Sequence, residues 1–434
     1  MIFFEMAGDC NITVTFLLHN PRQISNTGSL LEGFRLKTKL FTFLLIKGRL
    51  HMQKKIIVLA LAAAFAAPAF AETANVNVYG AIDLSVNSIN NGDSAAGVKG
   101  ASAFKVSSNV TKLGFKGVQD LGDGVSAIWQ IEQQIDIDDS GATSTTNTST
   151  GKATFATRNS FLGLSDKALG TVQLGRMDTP YKSSTRSLDA FGDSLADNRT
   201  LLGGVKGKSA DQTFDARDGN EIAYTSPDMG GLTVAVAYVA GAENNTRTTV
   251  NQGSATSASA VYKAGNLTAA LGYEVHNIGS SGSGTFAPQS GATDGKSETA
   301  SKLGVGYKIA DLYLSAIYEK TSDTVGAAGV AKYDHNVINV AAKYSLNTTN
   351  TVKLSYSKAS EINNVADTGA NQLSVGFDHM LAKTTSVYAL YTALTNGDAI
   401  DYGLTDAAST AGGFSATGKG SKVSALAVGV KHAF

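Results

Sequence analysis

The sequence holds a single cysteine, Cys10, so it can form neither an intrachain disulfide nor a cysteine-based metal centre. Its six histidines (His19, His51, His276, His335, His379 and His432) lack the close spacing of zinc ligands. Nowhere do 18 or more apolar residues run together, which excludes membrane-spanning helices. A transmembrane barrel is not excluded, because its apolar residues alternate with polar ones. Catalytic motifs are equally scarce. Gly207-Lys208-Ser209 completes the tail of a phosphate-binding loop, but Leu202 stands where its first glycine is required. There is no G-x-S-x-G nucleophile elbow. The chain does not read as an enzyme, and no cofactor, metal or catalytic residue is expected.

What is present begins with an export signal. Met52-Gln53-Lys54-Lys55 is a basic opening, and Ile56 to Ala67 is an apolar stretch too short to span a bilayer. Pro68-Ala69-Phe70-Ala71 then supplies both small residues of an A-x-A site, so cleavage is expected between Ala71 and Glu72. Residues 52–71 thus read as a signal peptide and 72–434 as one barrel domain. Residues 1–51 precede a complete signal peptide, and they are basic and rich in Leu and Phe from Leu36 to Leu50. They read as a start assigned too early, with Met52 the true one, or as an extended n-region. From Glu72 onward there are 28 Lys and Arg against 33 Asp and Glu, a net charge of −5, and no cysteine. That suits passage through an oxidising periplasm and argues against a nucleic-acid partner.

The dominant pattern is period two. In the run from Asn75, Val76, Val78, Ile82, Leu84 and Val86 share one parity, while Asn75, Asn77, Tyr79, Asp83 and Ser85 share the other. Successive strand residues point to opposite faces, so such a segment has one apolar and one polar face. The alternation returns at Thr351 to Tyr356 and at Asn371 to Phe377, and at the end Leu426, Val428, Val430 and Phe434 fall on one parity. Further strands are predicted at 103–117, 124–137, 158–165, 171–177, 217–226, 231–240, 256–263, 266–275, 301–308, 311–319, 335–345 and 384–393. Most approach the roughly 9–11 residues that a tilted strand needs to cross a bilayer. Connectors alternate between short, as at Ala264-Gly265, and long, as at 178–216. The fold class predicted is all-β: a transmembrane up-and-down antiparallel barrel of about 16 strands, with short periplasmic turns and long external loops. A solenoid would show a fixed repeat length, and none is present.

On these stretches the chain resembles the Gram-negative general porins, which are trimeric outer-membrane barrels of sixteen strands. The resemblance is carried by Thr111-Lys112-Leu113-Gly114-Phe115-Lys116-Gly117 with Asp120-Leu121-Gly122-Asp123-Gly124, by Arg158-Asn159-Ser160-Phe161-Leu162-Gly163-Leu164 and by Gly170-Thr171-Val172-Gln173-Leu174-Gly175-Arg176. Arg217-Asp218-Gly219-Asn220 with Tyr224-Thr225-Ser226-Pro227 and the terminal Phe434 complete it. It implies a homotrimer in the cell outer membrane, contact with the lipid bilayer and lipopolysaccharide, and recognition of Phe434 by the barrel-assembly machinery. It implies passive diffusion of ions and small hydrophilic solutes through a water-filled pore. It also implies that residues 177–216 fold inward as a constriction loop.

By residue-to-residue match the resemblance makes Lys112, Arg158, Arg176 and Arg217 the basic wall of that constriction. Asp189, Asp193 and Asp197 are the loop carboxylates that face it. Lys112 lies opposite in parity to Leu113 and Phe115 and is expected to point inward. Arg176 shares parity with Val172 and Leu174, which would aim it outward unless a bulge or the strand end corrects it. A substrate-specific channel, and a barrel acting mainly as adhesin or receptor through its loops, remain alternatives at this stage.

The export signal makes a direct prediction. The intact mass of protein extracted from outer membranes is expected to equal that of Glu72 to Phe434. A mass that includes Met52 to Ala71 would remove the cleavage assignment.

Overall fold

The computed structural model describes residues 2–7, 11–16, 75–135, 137–138, 146–147, 152–153, 155–204, 214–241, 253–279, 286, 296–325, 333–404 and 414–434. The cleavage site at Ala71 and Glu72 lies outside them. The chain divides into two units, Met1–Ala67 and Pro68–Phe434. In the first, Ile2–Ala7 and Asn11–Phe16 pair as an antiparallel hairpin.

The second unit is a closed barrel. Its strands are β1 (Asn75–Asn90), β2 (Ser102–Ser108 continuing as Lys112–Gly122), β3 (Val125–Gln134), β4 (Ser160–Asp166) and β5 (Gly170–Asp178). They continue as β6 (Arg217–Thr225), β7 (Leu232–Ala240), β8 (Ser254–Ala264), β9 (Leu267–Asn277), β10 (Ser297–Ile309) and β11 (Leu312–Asp323). The last five are β12 (His335–Ser345), β13 (Asn350–Ala359), β14 (Ala370–Ala382), β15 (Thr385–Asn396) and β16 (Lys422–Ala433). Each strand pairs antiparallel with the next, and β16 closes on β1 with Val428 opposite Val86. Among the described residues no helix is long and apolar enough to cross a membrane; strands perform the crossing.

Closure follows from the solvent. Inside hydrocarbon an unpaired backbone N–H or C=O costs several kcal/mol, so a sheet that spans a membrane can leave no open edge. The alternating side chains then separate. Leu303, Val305 and Tyr307 of β10 are exposed on the outer face, where lipid covers them, while Ala300, Lys302, Gly304 and Gly306 turn inward and are buried. The inner row of β1 is Ala81, Asp83, Ser85 and Asn87, and the outer row holds Val76, Val78, Ile82 and Val86.

One strand changes phase. On β2 the register runs Ser107 opposite Ser85, then Lys112 opposite Ala81, so β2 carries one residue more than β1 between these pairs. The extra residue is absorbed at Asn109–Thr111, where the Asn109 N–H donates to the Asp83 carbonyl (2.8 Å) and Thr111 Oγ1 accepts from the Asp83 N–H (3.1 Å). This is a β-bulge. It moves the inward set of β2 from odd to even positions, and Lys112 falls on the inward side with Gly114, opposite the inward Tyr79.

The seam between first and last strands is sealed by the terminus. Gly80 and Phe434 exchange both backbone hydrogen bonds, at 3.0 and 3.1 Å. A Cβ on Gly80 would lie 2.4 Å from the Phe434 ring and 2.7 Å from the Lys112 carbonyl. Gly80→Val is therefore expected to cost about 1–3 kcal/mol through overpacking. The checks are a lower melting temperature and less folded, fast-migrating protein on an unheated gel. An unchanged melting temperature would show that the seam does not depend on this contact.

Candidate functional site

The long connector between β5 and β6 enters the barrel and lies against its inner wall. It opens with a short helix, α1 (Pro180–Thr185), whose Thr179 side chain caps the Lys182 N–H and whose first position is proline. Three kinds of contact hold it. Tyr181 Oη donates to Glu319 Oε2 (2.7 Å), and the Gly203 N–H donates to Glu319 Oε1 (2.8 Å), so one buried carboxylate on β11 ties both ends of the loop. Ser257 accepts from the Tyr181 N–H (2.9 Å), and Ser315 donates to the Leu188 carbonyl (2.7 Å). Behind them Lys302 pairs with Asp215 and approaches Glu319 at 3.6 Å.

The third contact is apolar and depends on glycine. Leu188 fills the space where Gly304 lacks a Cβ and shares that at Gly306 with Tyr313 of the wall, Phe191 does so at Gly376, and Tyr181 with Ser184 does so at Gly272. These four glycines all lie on the inward parity of β9, β10 and β14. Leu188, Phe191, Leu195, Leu201 and Leu202 are buried in a cluster with Ile317, Val337, Ala341, Leu390 and Leu394 of the wall. Burying a side chain of this size stabilises by roughly 1.5–3 kcal/mol, so this face alone anchors the loop firmly.

Charge is concentrated in three clusters. On β2 to β4, Glu132 Oε2 meets Lys112 Nζ at 3.2 Å and Glu132 Oε1 meets Arg158 Nε at 2.6 Å. Next to it, Asp178 pairs with Lys182 at 2.7 Å and with Arg217 at 3.0 Å, while Arg217 Nε donates to Asn159 Oδ1 at 2.6 Å. Each of these clusters sets two cations against one carboxylate. The third lies within the loop. Arg186 reaches Asp189 (3.7 Å), Asp193 (3.1 Å) and Asp197 (3.2 Å), and Arg199 reaches Asp193 (3.2 Å) and Asp197 (2.8 Å).

The three loop carboxylates differ in environment. Asp197 is fully buried, yet Arg199 and Arg186 hold it well below the usual carboxylate range. Asp189 is also buried, with only one guanidinium nearby. Burial and the negative Asp197 push it up to about 7, against the pull of Arg186 and the N–H groups of Phe191 and Asn198. Asp193 is the most exposed of the three. Lys182 is brought down to about 8, chiefly by burial, with Asp178 opposing.

A barrel of this size, with an inward loop and a charged narrowing, is a porin architecture. The model of the Gram-negative porin family matches residues 58–399. The chain belongs to the Gram-negative porin family. The porin is 28% identical over 392 residues to the outer membrane porin protein 32 of Delftia acidovorans, covering 88% of this chain and 100% of the relative. Among solved structures it is similar to the anion-selective porin from Comamonas acidovorans, with a TM-score of 0.68 and 25% identity, covering 83% of this chain and 100% of that one. OmpT of Vibrio cholerae in its trimer form shares the fold, with a TM-score of 0.57 at 16% identity over 84% of this chain and 100% of that one. The porin is an outer-membrane channel through which ions and small hydrophilic solutes diffuse passively.

Within the porin, Lys112 of β2, Arg158 just ahead of β4 and Arg217 of β6 are linked through Glu132, Asn159 and Asp178. Arg176 stands apart. It is exposed, keeps the outward parity of Val172 and Leu174, and donates from Nε to the Thr157 carbonyl at 3.1 Å. A bulge is present beside it, but the extra residue lies on β6 at Asn220, whose φ is 56°, and so leaves the phase of β5 unchanged. Among the described residues no ion pair joins these four basic residues to Asp189, Asp193 or Asp197. Sequence reasoning did not single out Glu132, Asp178 or Lys182 as partners, nor the glycine seats. Inward-parity glycines inside long strands are the signal that would have pointed to the seats.

The Asp189 environment makes a pH dependence of the inward loop's charge the expected outcome. As pH falls through about 7, Asp189 takes up a proton and the loop loses one negative charge. The chloride-to-potassium permeability ratio is expected to rise about twofold between pH 7.5 and 6, with Lys182 extending the same trend above pH 8. Asp189→Asn should hold the low-pH ratio at pH 7.5. A native ratio that stays flat across this window would exclude Asp189 as a titrating pore charge.

Proposed function

We propose that this porin is a general diffusion channel with a preference for anions, working as a homotrimer. The observation that carries the preference is how the charges are divided. The loop carboxylates are held by the loop's own Arg186 and Arg199, whereas Lys112 and Arg158 share Glu132 on the wall, and Asp178 is shared by Arg217 and the loop's Lys182, so a cation is in excess at each. An uncompensated positive wall beside the narrowing concentrates anions and retards cations. The relative from Comamonas acidovorans, itself anion-selective, supports this reading.

The trimer is supported by the outer surface. Tyr224, Tyr238, Tyr262, Tyr273, Tyr307, Tyr318, Tyr344, Tyr356 and Tyr391 are exposed along β6 to β15. Among the described residues, the contiguous sector from β16 through β5 exposes Val, Ile, Leu and Phe but no tyrosine. Tyrosine favours the lipid–water boundary, so a tyrosine-free sector suits contact with neighbouring subunits. On the same reading Phe434 is the assembly signal read by the barrel-assembly machinery, lipopolysaccharide surrounds the outer leaflet end, and export removes residues 52–71. Catalysis forms no part of the function.

Single insertions in a planar bilayer under a potassium chloride gradient test the proposal. Conductance steps in groups of three and a reversal potential of the anion-selective sign are expected, with Lys112→Glu lowering the permeability ratio about threefold. A reversal potential of cation sign in the native channel would overturn the anion preference, and solitary steps would overturn the trimer.

A further inference from the structure

Below the constriction loop, on the short-turn side of the barrel, two lysines stand directly opposite each other. Lys343 of β12 is the register partner of Lys353 of β13, and both lie on the inward parity. Directly opposed residues on antiparallel strands have Cβ atoms about 4.5–5.5 Å apart, where like charges destabilise the pairing. The surroundings offset this only in part. Lys353 pairs with Asp378 at 2.8 Å. Lys343 has no ion pair among the described residues; Asp189 and Asp378 act on it only from beyond contact distance.

Both ammonium groups are held in position by aromatic faces. Lys343 Nζ lies 4.9 Å from the centre of the Tyr313 ring, and Lys353 Nζ lies 4.8 Å from that of Phe191. Such contacts fix a flexible lysine without neutralising it. Phe191 belongs to the inward loop and is itself seated on Gly376, so Lys353 packs directly against that loop. Of the two cations only Lys353 has a contact carboxylate, Asp378 on the side away from Lys343, so Lys343 faces the lumen with no counter-ion in contact among the described residues. Both lysines are partly exposed on the lumen side.

From this geometry we propose that Lys343 and Lys353 form a discrete binding step for small oxyanions, carboxylate or phosphate, at the lower edge of the constriction. It rests on the anion-conducting reading and deepens it. The wall clusters around Glu132 and Asp178 attract anions in general, whereas this pair holds one briefly between two N–H donor groups. Permeation of such solutes is then saturable while chloride flux is not.

The test uses the full-length folded channel in a planar bilayer, in potassium chloride, with inorganic phosphate added equally on both sides. Chloride current is expected to fall along a saturating curve as phosphate rises. Lys343→Gln should raise the half-saturating phosphate concentration at least fivefold. Lys353→Gln should do the same, and Lys105→Gln, on a distant strand, should leave it unchanged. Glutamine, one atom shorter, keeps a polar end and removes the charge and the like-charge repulsion, and heat-modifiable migration verifies folding of each variant. A linear response in the native channel, or an unchanged half-saturation in Lys343→Gln, overturns the site. Reversal potential is read in the same records. An anion-selective channel with no saturation defeats this inference alone. A cation-selective one with Lys343-dependent saturation defeats the general anion preference and leaves the site standing.

Discussion

Everything in this porin depends on the requirement that backbone polar groups be satisfied without water in the membrane interior. That single constraint forces the sheet to close and gives every strand one lipid face and one lumen face. It also makes the contact between β16 and β1 as important as any within the chain. The Gly80–Phe434 pairing is the local expression of it: the last residue supplies two backbone hydrogen bonds and the glycine makes room for its ring. A barrel of sixteen strands is too wide for side chains to fill, so a water-filled lumen follows from the same closure.

The inward loop is then held in the lumen by a second, independent use of ordinary soluble-protein physics. The constriction loop has a small hydrophobic core of its own, built from Leu188, Phe191, Leu195, Leu201 and Leu202 against the wall. A wall of large inward side chains would leave no room for it. Glycines at 272, 304, 306 and 376 provide the room, and Glu319 and Ser315 supply the polar fixings. Position along the wall is thereby determined by shape together with the Glu319 carboxylate and the Lys302–Asp215 pair.

Much of the architecture was legible in the sequence because period-two alternation is a direct imprint of lipid on one face and water on the other. Every predicted strand is present, with ends shifted by a few residues. The one predicted strand that is interrupted, 103–117, contains the Asn109–Thr111 bulge, which alternation alone cannot reveal because a bulge reads as a brief lapse of pattern. The constriction was legible only in outline. Parity placed Lys112 inward and Arg176 outward, as they stand in the barrel. What sequence could not supply was pairing. Glu132 is adjacent to neither Lys112 nor Arg158 in the chain, and Asp189, Asp193 and Asp197 look alike until the positions of Arg186 and Arg199 are known.

That internal pairing has a consequence for how such a channel can change over evolutionary time. Because Asp189, Asp193 and Asp197 find their counter-ions within the loop, that acidic cluster does not lean on the basic residues across the lumen. Aperture and ionic preference are therefore separable traits. Substitutions on the opposing strands can alter which solutes pass while the loop stays in place, and the protein can explore new diets without risking its shape.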